Sequence, residues 1–124
     1  MNKKMILVVE DEEDTSLFVK DRLEMEGYQV VTAKDGQEGF DKARENLPDL
    51  ILLDVMMPKM NGYQVCRKLK LNPVTEAIPI IMVTAKAQGA DISFGKETGC
   101  DDYLTKPFEM DELLKKISRF LKKD

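Results

Sequence analysis

Five short apolar runs recur along the chain, and each ends where polar or charged residues take over. They are Met5 to Val9, Tyr28 to Ala33, Leu50 to Asp54, Pro79 to Thr84 and, shorter and more polar, roughly Asp102 to Thr105. A continuous apolar run of this length, bounded by turn residues, fits a strand buried on both faces, as in a parallel sheet. The second run is less purely apolar, which fits a strand nearer an edge. The third is the most apolar and runs straight into one carboxylate, Asp54, before a Pro58-marked loop.

Between these runs the apolar positions fall at helical spacing. The first helix is expected over roughly Asp14 to Glu26, with Leu17, Phe18 and Leu23 facing inward and Gly27 as its stop. Asp35-Gly36-Gln37-Glu38 resembles a capping box and opens a second helix reaching about Asn46, where Pro48 enforces the end. Asn61 can cap a third helix that brings Val65, Cys66 and Leu69 inward and breaks at Asn72-Pro73. A fourth is expected from near Asp91 to Gly99. Gly95 in its interior costs about 1 kcal/mol against alanine, so this should be the softest helix. The fifth carries Met110, Leu113, Leu114, Ile117, Phe120 and Leu121 at helical spacing. Lys115, Lys116, Arg119, Lys122 and Lys123 load its C-terminal half, where cations suit the helix dipole. Strand and helix thus alternate five times. That implies an α/β fold: one doubly wound, five-stranded parallel sheet with right-handed crossovers and five helices on its two faces.

Composition narrows the chemistry. The 124 residues suit one domain, residues 1–124, with a single core. Hydrophobic residues at 43% and charged residues at 34% describe a globular protein, and no apolar run reaches membrane-spanning length. Met5 to Val9 is too short for a signal peptide, and acids follow where small residues would be needed. The expectation is therefore a cytoplasmic protein without membrane insertion. Cys66 and Cys100 form no framework and no metal spacing, and both read as small buried hydrophobes in a reducing compartment. There is no histidine, which excludes Ser-His-Asp and Cys-His nucleophiles and His-ligated zinc. Any metal must be held by oxygen, which selects hard cations such as Mg²⁺. A net charge of −4 gives no sign of direct nucleic-acid binding.

The chemistry-bearing residues lie at strand ends. The first strand ends in Glu10 and Asp11, the third in Asp54, the fourth in Thr84, and the fifth is followed by Lys106. The second offers only Lys34 and Asp35, in a capping context. Sheet order 2-1-3-4-5, the flavodoxin-like order, would explain this, with the switch point between strands 1 and 3. Singly, each residue has an ordinary reading: a helix-start acid, a strand threonine, a surface lysine. Jointly, three carboxylates beside a hydroxyl and an ammonium repel one another unless a cation joins them. Mg²⁺ would do so, with Asp54 as nucleophile for a phosphoryl group, Lys106 pairing with the phosphoryl oxygens and Thr84 donating a hydrogen bond.

At this point the chain resembles the receiver domain of two-component response regulators, of the chemotaxis-regulator-like, single-domain type, over essentially its whole length. The matching stretches are Ile6 to Glu12, Asp49 to Pro58, Met60-Asn61-Gly62, Pro79 to Ala85 and Gly99 to Phe108. The resemblance implies that Asp54 becomes a 4-aspartylphosphate, with a histidine kinase or histidine phosphotransfer protein as donor. It implies direct Mg²⁺ ligation by Asp11 and Asp54, action of Glu10 mainly through water, and completion of the site by the Met56 carbonyl. It makes Thr84 and Tyr103 the switch pair, Lys106 the phosphoryl contact and Lys106-Pro107 a cis peptide. It also implies a phosphoacceptor domain rather than an enzyme. Such a domain supports its own Mg²⁺-dependent phosphorylation and dephosphorylation. Its downstream target would bind the face made by the fourth helix, fifth strand and fifth helix, and it would be a monomer or a weak phosphorylation-dependent dimer. Glu10 stands where aspartate is more common and Cys100 where alanine is usual.

Two other classes share parts of the pattern. A flavodoxin-like flavin carrier needs a Ser/Thr- or Gly-rich loop after the first strand, whereas Glu10 to Asp14 would repel phosphate. A haloacid-dehalogenase-type phosphatase needs a second aspartate two residues past the nucleophile, and that position is Met56. The chain is either a stand-alone receiver or the N-terminal module of a longer regulator, such as a transcription factor or output enzyme.

Overall fold

The computed structural model describes residues 3–57, 60–84 and 99–121. Within them the chain forms β1 (Met5–Val9), α1 (Glu13–Met25), β2 (Gln29–Ala33), α2 (Gly36–Asn46), β3 (Leu50–Asp54), α3 (Gly62–Leu71), β4 (Ile80–Thr84), β5 (Asp102–Thr105) and α4 (Met110–Phe120). The strands make one parallel sheet in the order β2-β1-β3-β4-β5, as the strand-end argument expected. Four helices are described rather than five. The fourth expected from sequence, with Gly95, lies outside the described residues, and α4 is the element expected as the fifth.

Position in the sheet follows from side chains. Every residue of β3 and β4 is buried, because each strand has neighbours on both sides and helices on both faces. The mixed runs β2 and β5 take the two edges. One core layer joins Ile6, Val8, Leu50, Leu52 and Ile81 to Val19 and Leu23 of α1 and Leu113 and Ile117 of α4. The opposite layer joins Leu7, Val9, Ile51, Leu53 and Met82 to Phe40 and Ala43 of α2 and Val65, Cys66 and Leu69 of α3. The alternation along each strand feeds both layers.

The caps place the helices. Asn61 and Gln64 form a full capping box at α3. At α2, Asp35 accepts from the Glu38 N–H at 2.8 Å, but the Glu38 carboxylate reaches past it to the Lys34 N–H at 2.7 Å. Gly62 lets α3 start hard against β3: a methyl group there would collide with the Asp54 carbonyl oxygen.

Two expectations are corrected. Leu17 and Phe18 are exposed, at 54% and 56%, while Val19 and Leu23 make the buried stripe of α1. Val19 and Leu23 stand four residues apart on one helical face, and Leu17 and Phe18 fall outside it. Cys66 is buried, but Cys100 is only half-buried, because it precedes the edge strand β5. Burial, with the nearby Cys66 next, pushes the Cys100 thiol up to about 11. Lys116 and Arg119 do more than meet a helix dipole. Their cationic ends lie 3.2 Å and 3.8 Å from the Asp102 carboxylate and tie α4 to β5.

Candidate functional site

The carboxyl ends of β1 and β3 lie side by side, since Val9 pairs with Leu53 in the register. Glu10 therefore leaves β1 beside Asp54, the last residue of β3. Glu10 is 7% and Asp54 5% exposed, whereas Asp11, one step further, faces solvent. The carboxylates of Glu10, Asp11 and Asp54 each offer an oxygen, and these oxygens lie within 4.8 Å of one another. They come from two strand ends, Glu10 and Asp11 directly after β1 and Asp54 closing β3, so the cluster exists only in the folded chain.

The main chain holds two of the acids. The Glu10 Oε2 accepts from the Glu12 N–H at 3.1 Å, and the Asp54 Oδ1 accepts from the Met56 N–H at 3.2 Å. Lys106 spans the remaining oxygens, with Nζ 3.2 Å from Glu10 Oε1 and 3.4 Å from Asp54 Oδ2. It is aimed there by the β4–β5 pairing. The Lys106 N–H donates to the Thr84 carbonyl at 2.7 Å, and the Lys106-Pro107 bond is cis, as the resemblance implied.

The charges respond to this crowding. Burial raises the Glu10 carboxyl to about 7; the Glu12 N–H opposes the rise and the Asp54 charge adds to it. Burial alone would lower the Lys106 ammonium, but Asp54 and Glu10 outweigh it and hold it above its usual range. An all-oxygen set of three close carboxylates, one of them reluctant to ionise, fits a small hard divalent cation. Among the described residues, Lys106 is the cation that pairs with both Glu10 and Asp54.

The other expected residues fall around this centre. Thr84 ends β4, buried at 6% exposure, one step past the Val83 that pairs with Asp54. Tyr103 is half-buried on β5 opposite Met82 and packs against the α2–α3 core layer. Met56 stands 70% exposed. Sequence reasoning missed two features. One is the bond between Lys106 and Glu10, because the spacing of 96 residues carries no signal. The other is an open depression of about 450 Å³ beside Glu10 and Asp11, where Lys20, Lys34 and Lys42 gather between α1 and α2.

A doubly wound sheet of this order with an acid cluster at its switch point defines a class. Residues 6–118 match the response regulator receiver domain, and the chain belongs to that family. It is a receiver domain of a two-component response regulator, whose general role is that of a phosphoacceptor switch. The chain is 46% identical over 123 residues to the alkaline phosphatase synthesis transcriptional regulatory protein PhoP of Bacillus subtilis, covering 99% of this chain and 50% of that protein. It is 44% identical over 118 residues to the response regulator ArlR of Staphylococcus saprophyticus, covering 95% of this chain and 52% of that protein. The chain thus spans about half the length of these curated relatives. Among solved structures, the chemotaxis protein CheY4 of Vibrio cholerae superposes with a TM-score of 0.91 at 32% identity, covering 97% of this chain and 100% of that one. The receiver domain of a sensor histidine kinase from Pseudomonas aeruginosa PAO1 does so with a TM-score of 0.89 at 31% identity, covering 96% and 98%. That structure has a magnesium ion coordinated in its active-site cleft. No helix among the described residues is long and apolar enough to cross a membrane.

Proposed function

We propose that Asp54 is the phosphoacceptor of this receiver and takes its phosphoryl group from a histidine kinase or histidine phosphotransfer protein. The observation that carries the reading is the convergence of Glu10, Asp11 and Asp54 under the Lys106 ammonium. Asp11, Asp54 and the Met56 carbonyl would hold Mg²⁺, with Glu10 acting through water. Bound there, the cation supplies charge neutralisation between two anions. The rest falls to the chain. The Asp54 carboxylate attacks phosphorus in line, forming an O–P bond as the bond to the donor nitrogen breaks. The Lys106 ammonium shifts from the carboxylates to the new phosphoryl oxygens, and the Thr84 hydroxyl donates to one of them. Thr84 and Tyr103 then act as the switch pair and reshape the face of β5, α4 and the expected helix near Asp91 for a downstream partner. The test is labelling by a small acyl phosphate with Mg²⁺. The expected result is one base-labile phosphoryl group, absent in Asp54→Asn and absent in chelator. Labelling of Asp54→Asn at the wild-type rate would refute the assignment.

A second reading concerns what the switch controls. The relatives are about twice as long as the matched stretch, which favours a receiver that governs an attached output module. The full reading frame beyond Asp124 decides between this and a receiver acting alone by protein contact.

A further inference from the structure

Two methionines stand far out of the fold among the described residues: Met25 at the end of α1, 78% exposed, and Met56 just past β3, 70% exposed. Their neighbours in kind are protected. Met57 and Met60 flank the same loop but pack against the α2–α3 core layer, and Met82 is buried within it. Met56 is therefore the exposed thioether of the segment that follows Asp54. Its own N–H donates to Asp54 Oδ1 at 3.2 Å, so its main chain is in contact with the proposed phosphoacceptor.

We propose that Met56 is an oxidation site through which hydroperoxides shorten the life of a phosphoryl group on Asp54. The inference rests on the reading of Asp54 as phosphoacceptor. The step balances without any cofactor. The sulfur lone pair attacks one peroxide oxygen, an S–O bond forms as the O–O bond breaks, and hydrogen peroxide leaves as water. Sulfur is oxidised by two electrons and the peroxide is reduced by two. The product, methionine sulfoxide, is polar where the thioether was apolar, and it is reducible enzymatically. Its oxygen is a strong hydrogen-bond acceptor. Two residues past Asp54 a thioether offers water no strong hydrogen bond, whereas a sulfoxide holds it. Loss of an acyl phosphate requires attack by water, so a wetter approach hastens it. Met25 oxidises too, but it lies at the opposite end of α1 from Glu10 to Glu12 and serves as an internal control.

The experiment exposes the purified chain to graded hydrogen peroxide and maps sulfoxides by peptide mass spectrometry. Treated and untreated protein are then labelled with a small acyl phosphate and Mg²⁺, and decay of the label is followed after donor removal. Met56 and Met25 should oxidise well before Met57 and Met60. The label should decay several-fold faster in treated protein, and methionine sulfoxide reductases should restore the original rate. Met25→Leu should keep the response; Met56→Leu, whatever its own rate, should decay alike before and after peroxide. Failure of untreated protein to label would sink the Asp54 reading itself. With labelling intact, the oxidation proposal alone is overturned by any of three results. Met56 oxidises no faster than Met57 and Met60, treated wild type decays unchanged, or Met56→Leu responds as wild type does.

Discussion

Glu10 is a carboxylate that the fold makes reluctant to ionise. It is buried at a strand end beside Asp54, and its carboxyl rises to about 7. In the unfolded chain the same group titrates near its ordinary value of 4.5. The folded state therefore holds the proton more tightly. Its contribution to stability is full below the unfolded value and is lost as pH rises through about 7. Mg²⁺ binds the ionised carboxylates of the folded site and stabilises by mass action, so its benefit should grow over the same window. Thermal scans at about pH 5 and about pH 8, in chelator and in Mg²⁺, read both effects. In chelator, Glu10→Gln should gain on wild type at the higher pH, and the Mg²⁺-induced rise in Tm should be larger there. Equal differences at both pH values would contradict a strained Glu10. Glutamate at this position reaches Lys106 directly, a contact that its identity alone did not announce.

At the scale of elements, the junction of β3 and α3 holds the site in shape. Val55 continues from β3 with its N–H on the Val83 carbonyl at 3.0 Å, and its carbonyl accepts the Gly62 N–H at 2.9 Å. Gly62 is pressed against the main chain of Asp54 and Val55 with no room for a side chain. Gly62→Ala should therefore cost about 1–3 kcal/mol through overpacking. It should also slow labelling at Asp54, since the carboxylate would be displaced along with the strand end. Denaturant unfolding and a labelling time course measure the two. Unchanged stability in Gly62→Ala would mean that α3 can slide away from β3 freely. Helix α1 carries the opposite lesson. Its apolar residues are spread around the helix, and the pattern pointed Leu17 and Phe18 inward beside Leu23. Docking on the sheet chose Val19 and Leu23 over Leu17 and Phe18.

Across the whole molecule, the proposed phosphoryl site and the β5 edge are joined by packing. Thr84 pairs with Thr105, Met82 with Tyr103, and Asp102 is bound to Lys116 of α4. New charge on Asp54 would draw the Thr84 hydroxyl and the Lys106 ammonium toward it. That would vacate space behind β4 and let the half-buried Tyr103 move. A ligand shifts such an equilibrium only by its differential affinity for the two states. Beryllofluoride with Mg²⁺ should therefore perturb amide signals from about Ala85 to Phe108 well beyond direct contacts. Thr84→Ala should still accept the phosphoryl group but lose the distant response. Shifts confined to the neighbours of Asp54 in wild type would reduce the site to a local acceptor with no switch.

Much of this was written in the sequence because parallel sheets impose simple patterns. A strand buried on both faces must be apolar throughout, and so the bounds of Met5–Val9 and Leu50–Asp54 were legible to the residue. Strand ends are where polar side chains become affordable, and so Glu10, Asp11, Asp54, Thr84 and Lys106 could be named as one constellation. Caps are local hydrogen bonds, and Asn61 and Asp35 announced theirs. Tertiary structure alone decided which side of α1 is buried, why Cys100 is half-open beside a buried Cys66, and that Lys116 and Arg119 grip Asp102. It alone brought Lys106 between Glu10 and Asp54, residues 96 and 52 positions away. Those outcomes depend on distances between segments that meet only after the sheet has formed, and no local pattern carries a distance.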